Sequence, residues 1–178
     1  MPKKFKPAMG RGDDGTTGLL LGRRVLKTDV RVKANALIDE LSAWLGLART
    51  LKGPAARERA GLQGEQKTLF LLSAHIAGAD NLKIIESGTR RLEKEIACLS
   101  ENLPEIKSFM TPGRNEAEAV LHLARARCRS AEILTWHVKK ARPCAVYLNR
   151  LSDYLFLLAQ ASCKAHNTSH KTHVTGHK

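Results

Sequence analysis

Arg125, Arg129 and Glu132 stand at i, i+4 and i+7 within the stretch Leu121 to Glu132, LHLARARCRSAE. Read as a helix, that spacing projects all three side chains from one face. Leu121, Ala124, Cys128 and Ala131 fall on the neighbouring face, which can pack. Two guanidiniums and a carboxylate in register make a clamp for a polyanion. The same pattern also describes a helix face that simply meets water. The stretch alone leaves both readings open.

Other residues carry chemistry elsewhere. Residues 12–18, GDDGTTG, have a loop composition, with Gly12, Asp13, Gly15, Thr16 and Thr17 as its working members. Glycines let a backbone approach a ligand and expose its N–H groups, and threonine hydroxyls can reach a phosphate. The G-K-[ST] ending of a Walker loop is absent. Arg23, Arg24, Lys27 and Arg31 crowd cations just downstream. Asp39 and Glu40 interrupt an apolar helical pattern, and a carboxylate in such a helix calls for a cationic partner. Phe109 sits in a Pro/Gly-bounded loop with no packing neighbour implied by periodicity, and Asn149 and Asp153 share one polar helix face. His75 reads as a core or interface histidine.

The composition narrows the class. The chain has 178 residues and a net charge of +13, with 4% aromatics. That balance favours anionic partners, while so few aromatic rings make a stacking platform for single-stranded nucleic acid scarce. No apolar run reaches the length of a membrane span, and the first residues lack the apolar core of a secretory signal. Cys98, Cys128, Cys144 and Cys163 are widely spaced and form no CxxC pair, which reads as thiols in a reducing compartment.

The elements that must position these groups are helices. Apolar residues recur at helical spacing from Val32 to Ala48, from Glu65 to Ala79, from Gly88 to Ser100 with Ser87 as its cap, from near Asn115 to about Lys140, and from Pro143 to about Cys163. In the last of these Leu148, Leu151, Leu155 and Leu158 form the buried stripe. Residues 50–64 read as a connection, with Ala55–Ala60 as a possible short helical piece, and no β-rich run is evident. The expected fold is all-α, a five-helix bundle. A basic extension (1–11), one helical domain (12–163) and a flexible His/Lys-rich tail (164–178) complete the organisation.

Several of these motifs occur in a fixed order: GDDGTTG, RVxKxDxRV at 24–32, IDEL, FxxPG at 109–113, LHxARxxCRxAE and YLNRLSDYLF at 147–156. The chain resembles the PduO-type ATP:corrinoid adenosyltransferases over roughly residues 9–160. The resemblance implies a homotrimer of five-helix bundles, with ATP and cobalamin (a vitamin B12 corrinoid) at the subunit interfaces and magnesium assisting. It implies transfer of the 5′-deoxyadenosyl group of ATP to Co(I), with release of triphosphate, in the cytoplasm (or the mitochondrial matrix of a eukaryote) beside an electron-donating reductase. On matching positions Gly12, Asp13, Gly15, Thr16 and Thr17 would wrap the phosphates and Lys27 would contact them. Arg125 would bind phosphate while paired with Asp39. Arg129, Glu132 and Asn149 would hold the remaining phosphates, the adenosine and the metal environment, and Phe109 would displace the axial ligand at the lower face of the corrin. The chain departs from the family pattern at Met9, Gly10, Lys33, Arg114 and Ser130. The alternative is a lapsed homologue serving as a basic structural protein in an RNA or ribonucleoprotein assembly.

Overall fold

The computed structural model describes residues 9–52, 56–105 and 111–171. Its five long helices are α1 (Val30–Thr50), α2 (Ala56–Ile76), α3 (Leu82–Asn102), α4 (Glu116–Thr135) and α5 (Arg142–Lys171). Packing neighbours run α1, α2, α3, α5, α4 and back to α1, so the bundle closes on itself. The expected five-helix, mainly α fold is what forms.

The core follows from helical periodicity. Ile38, Leu41 and Leu45 of α1 meet Leu62, Leu69 and Leu72 of α2, and Leu148, Leu151 and Leu155 of α5 close the middle. Each such leucine, fully withdrawn from water, contributes on the order of 2 kcal/mol. Asp29 caps α1 by accepting the Arg31 N–H at 2.9 Å, and Asn115 caps α4 by accepting that of Glu118 at 2.9 Å.

Four expectations change. Residues 56–64 belong to α2 and are not a connection, because Gly61 and Gly64 are contact points inside a helix rather than breakers. A Cβ on Gly61 would stand 2.9 Å from the Tyr154 hydroxyl, and one on Gly64 would stand 3.1 Å from Arg91 Nη1. Likewise α3 begins at Leu82, and Gly88, expected near its start, is an interior position packed against the Tyr147 ring. Helix α4 ends at Thr135, short of Lys140, in a turn where Lys140 takes a left-handed φ of 67°. The glycine loop folds as a hairpin whose strands, β1 (Thr16–Gly18) and β2 (Arg24–Leu26), pair antiparallel with Thr16 opposite Leu26.

All four cysteines are free, with Cys128 and Cys144 buried. Burial pushes the Cys144 thiol up to about 12. Among the described residues no helix is long and apolar enough to cross a membrane.

Candidate functional site

Two constructions gather the residues singled out by type and spacing. The first is the seam between α4 and α5. Leu121, Ala124, Cys128 and Ala131 are buried as the spacing requires. The Cys128 thiol donates to the Leu148 carbonyl at 3.1 Å, which brings the two helices close. Beside that contact α4 presents Arg125 and Glu132 half-buried and Arg129 exposed, while α5 presents Asn149 and Asp153. Asn149 Nδ2 donates to Glu132 Oε1 at 3.4 Å, and the Trp136 indole donates to the same oxygen at 3.3 Å. Arg150 Nη1 donates to Asn149 Oδ1 at 2.7 Å and Arg150 Nε to Glu93 at 3.2 Å, so the seam is braced from α3. Further along, the Arg125 guanidinium lies 5.8 Å from the Phe156 ring centroid, and its Nε donates to His122 Nδ1 at 3.3 Å.

The second construction is the hairpin. Gly15, at φ 77°, turns the chain in a conformation that side chains resist. Its carbonyl accepts the Lys27 N–H at 2.8 Å. This closure lays the Lys27 amine on Gly12, where a Cβ would stand 3.4 Å from Nζ. Asp14 accepts the Thr16 N–H at 3.0 Å and its hydroxyl at 2.8 Å, and the Arg24 guanidinium donates to both Asp14 and Thr16. The Thr16 backbone and hydroxyl bonds, then Arg24, hold the Asp14 carboxyl below its ordinary value. The result is a tight polar loop with an ammonium group held against backbone that carries no side chain.

A cavity of about 600 Å³ lies where the hairpin meets the end of the bundle, lined by Leu20, Arg23, Arg31, Lys139 and Lys140 among others. It is not the α4–α5 seam. Its lining takes residues 137–141, beyond the end of α4, and none of Arg125, Arg129, Glu132 or Asn149, and Arg129 lies six residues, roughly 9 Å of helix, before that end at Thr135.

Asp39 corrects one expectation. Within a single chain it is exposed, and among the described residues it makes no ion pair. The core stripe of α1 runs through Ala34, Ile38, Leu41, Leu45 and Ala48, so Asp39, one residue past Ile38, points about 100° away from it. Its neighbour Glu40 is the paired carboxylate, 2.8 Å from Arg127 Nη2.

Comparison with known proteins decides the assignment. Residues 8–162 match the family described as cobalamin adenosyltransferase. The chain belongs to that family. A corrinoid adenosyltransferase of Mycobacterium tuberculosis is 39% identical over 164 residues, spanning 85% of each chain. The corrinoid adenosyltransferase PduO of Citrobacter freundii is 38% identical over 161 residues, 84% of this chain and 48% of that one. Among solved structures, a phenylalanine-to-alanine variant of the Lactobacillus reuteri PduO-type ATP:corrinoid adenosyltransferase, complexed with cobalamin and ATP, superposes with a TM-score of 0.79. It is 26% identical and covers 89% of this chain and 94% of that chain.

In this adenosyltransferase fold the structure therefore unites Arg125, Arg129, Glu132 and Asn149 on one seam, and Gly12, Asp13, Gly15, Thr16, Thr17 and Lys27 on one loop. The two groups are separate in the single chain. Phe109 lies outside the described residues. Spacing alone did not pick out Glu118, His122 and Phe156, which surround Arg125 or its neighbours. A signal was present: Asn115 followed three residues later by Glu118 has the pattern of a helix-start box.

Proposed function

We propose that this chain transfers the 5′-deoxyadenosyl group of ATP to the Co(I) of a corrinoid such as cobalamin, releasing triphosphate. The observation that carries the reading is the α4–α5 seam, where Arg125, Arg129 and Glu132 stand along one side of α4 and Asn149 of α5 donates to Glu132, in an adenosyltransferase fold. The corrinoid substrate supplies the nucleophile, and the protein's part is alignment and charge neutralisation. Arg125, Arg129 and Lys27 would balance the negative charge that gathers on the departing triphosphate. The N–H groups and hydroxyls of Gly12, Asp13, Gly15, Thr16 and Thr17 would wrap it. Asn149 and Glu132 would hold the adenosine end, and Phe109 would meet the lower face of the corrin.

Magnesium fits this arrangement as a companion of the phosphates. Among the described residues no group of three His, Cys, Asp or Glu side chains could hold a metal by itself. Magnesium is commonly held by substrate phosphates with only one or two carboxylates, and Glu132 on the seam could be one of them.

The working unit in this reading is a homotrimer. Seam and loop are separate in one chain, and Asp39 and Arg125 do not meet there, so their pairing would be made between subunits. An unpartnered face supports it: Ala36, Asp39, Ala43 and Leu47 of α1 are exposed, as are Leu123, Ala126, Ile133 and Trp136 of α4. The domain would span 12–163, with the basic segment 1–11 before it and residues 164–178 after it, of which α5 takes in those up to Lys171. It would act in the cytoplasm beside a reductase that supplies the electrons.

The test is an anaerobic absorbance assay with chemically reduced cob(I)alamin, ATP and magnesium. Growth of the adenosylcobalamin spectrum is expected, together with its loss in a folded Arg125→Ala variant. A flat wild-type trace, or full activity in Arg125→Ala, overturns the reading.

A further inference from the structure

Glu118, in the first turn of α4, is wholly buried yet surrounded by donors. Its Oε2 accepts the N–H groups of Gly113 at 2.7 Å and Arg114 at 3.0 Å. Its Oε1 takes the Arg114 guanidinium at 3.3 Å and lies 3.2 Å from His122 Nε2. Gly113 supplies the required backbone with a φ of 117°. Arg114 also donates to Gln160 Oε1 at 2.8 Å, so its side chain folds down onto α5. His122, 7% exposed, is the next link. Its Nδ1 accepts from Arg125 Nε at 3.3 Å. An acceptor at Nδ1 assigns the ring proton to Nε2, on the Glu118 side, and makes the imidazole neutral. The Nε2–H lies close to the carboxylate without pointing squarely at it, so Glu118 acts on it through charge more than through an aligned hydrogen bond.

We propose that His122 is a positioning residue: oriented by buried Glu118, it holds Arg125 by Nε and so aims the Nη1/Nη2 edge of the guanidinium at the triphosphate of ATP. This rests on the reading of Arg125 as a phosphate contact. Protonating His122 would turn Nδ1 from acceptor to donor, facing the Nε–H it now receives, and would set imidazolium against guanidinium. The charged groups facing His122 are Glu118, Arg114 and Arg125. From α5 the Phe156 ring lies 6.0 Å away and tilted by 58°, while Gln160 meets Arg114 and Cys163, whose thiol burial pushes up, lies near Arg114 and Glu118. Burial lowers His122 below its ordinary value, Glu118 opposes that, and Arg125 and Arg114 reinforce it. The ring is therefore neutral at pH 7, and ATP binding weakens only on the acid side.

The experiment measures MgATP affinity of the assembled protein by titration calorimetry from pH 8 down to about 5.5, a range that spans histidine titration. Wild type is expected to lose affinity at the acid end. His122→Ala should bind about tenfold more weakly at pH 8, the value of one lost hydrogen bond to a charged group. His122→Asn, whose amide oxygen can stand where Nδ1 stood, should recover most of that loss and show no acid limb. An acid limb that survives in His122→Asn overturns the proposal, as does wild-type affinity in a folded His122→Ala. If Arg125→Ala itself binds MgATP like wild type, the phosphate role of Arg125 falls first, a separate result.

Discussion

The Lys27 ammonium lies on Gly12: a Cβ built there would stand 3.4 Å from Nζ and 3.2 Å from the Thr16 carbonyl oxygen. Absence of a side chain is what lets the cation and the loop backbone face the same ligand. Gly12→Ala should push Lys27 aside and raise the KM for ATP on the order of tenfold, about 1.4 kcal/mol. The hairpin stands apart from the bundle core, so the melting temperature should barely move. Steady-state kinetics and a thermal melt on the same preparation check both halves. A large drop in melting temperature with unchanged KM would make Gly12 structural.

Tyr147 crosses the bundle to donate its hydroxyl to the buried carboxylate of Glu65, which Arg91 Nη2 meets at 2.8 Å from the other side. Burial raises the Glu65 carboxyl above its ordinary value, and the Tyr147 bond and Arg91 hold that rise back. Tyr147→Phe removes a donor and leaves the charge short of partners, which should cost about 1–3 kcal/mol. The sign with pH follows. A carboxyl whose folded value is raised loses stability as pH climbs through that value, so the deficit of Tyr147→Phe should be larger at pH 8 than at pH 5. Denaturant melts at both values test this, and an equal deficit at both would remove Glu65 from the account.

How much of this could be read from the sequence depends on what each residue leans on. The packed face of α4 and the leucine stripe of α5 were legible because a 3.6-residue period needs no knowledge of the partner helix. The Arg125, Arg129 and Glu132 register was legible for the same reason. Gly61 and Gly64 misled because a glycine that clears room for Tyr154 or Arg91 looks the same in sequence as one that ends a helix. The hairpin was hidden because its strands, TTG and RVL, are three residues each, too short for an alternation that marks a face. The Arg114, Glu118 and His122 chain depends on a turn that brings Gly113 beneath the start of α4, and no periodicity encodes that turn. Asp39 looked like a buried carboxylate because Leu37, Ile38 and Leu41 flank it in sequence, although around the helix it shares the exposed face of Ala36 and Ala43.

Asp29 offers a pH test of the start of α1. It accepts the Arg31 N–H and is paired with the Arg31 side chain at 2.8 Å, interactions that bring its carboxyl down from 3.8 to about 2. Asp29→Ala should cost about 1 kcal/mol at neutral pH, the value of a lost helix cap. A depressed folded value means the contribution is complete above about pH 4 and fades as pH falls toward 2. The stability gap between wild type and Asp29→Ala should therefore close over that interval. A gap that stays constant would assign the effect to helix propensity instead of the carboxylate.

The exposed stripe on α4 gives the last prediction, because it separates assembly from chemistry. Ile133 and Leu123, 59% and 49% exposed, lie on α4, which packs against α1. Ile84, 50% exposed, lies on α3, whose bundle neighbours are α2 and α5. If subunits join through the α1–α4 face, Ile133→Lys places a charge where apolar surface must be buried and should shift the sedimenting species to monomer. Transfer activity should fall with it, since the hairpin and the seam are separate in one chain. Ile84→Lys should leave mass and activity as they were. A trimer that survives Ile133→Lys moves the contact to another face. A monomer that keeps full activity would show that one chain completes the site by itself, which the separation of Lys27 from Arg125 argues against.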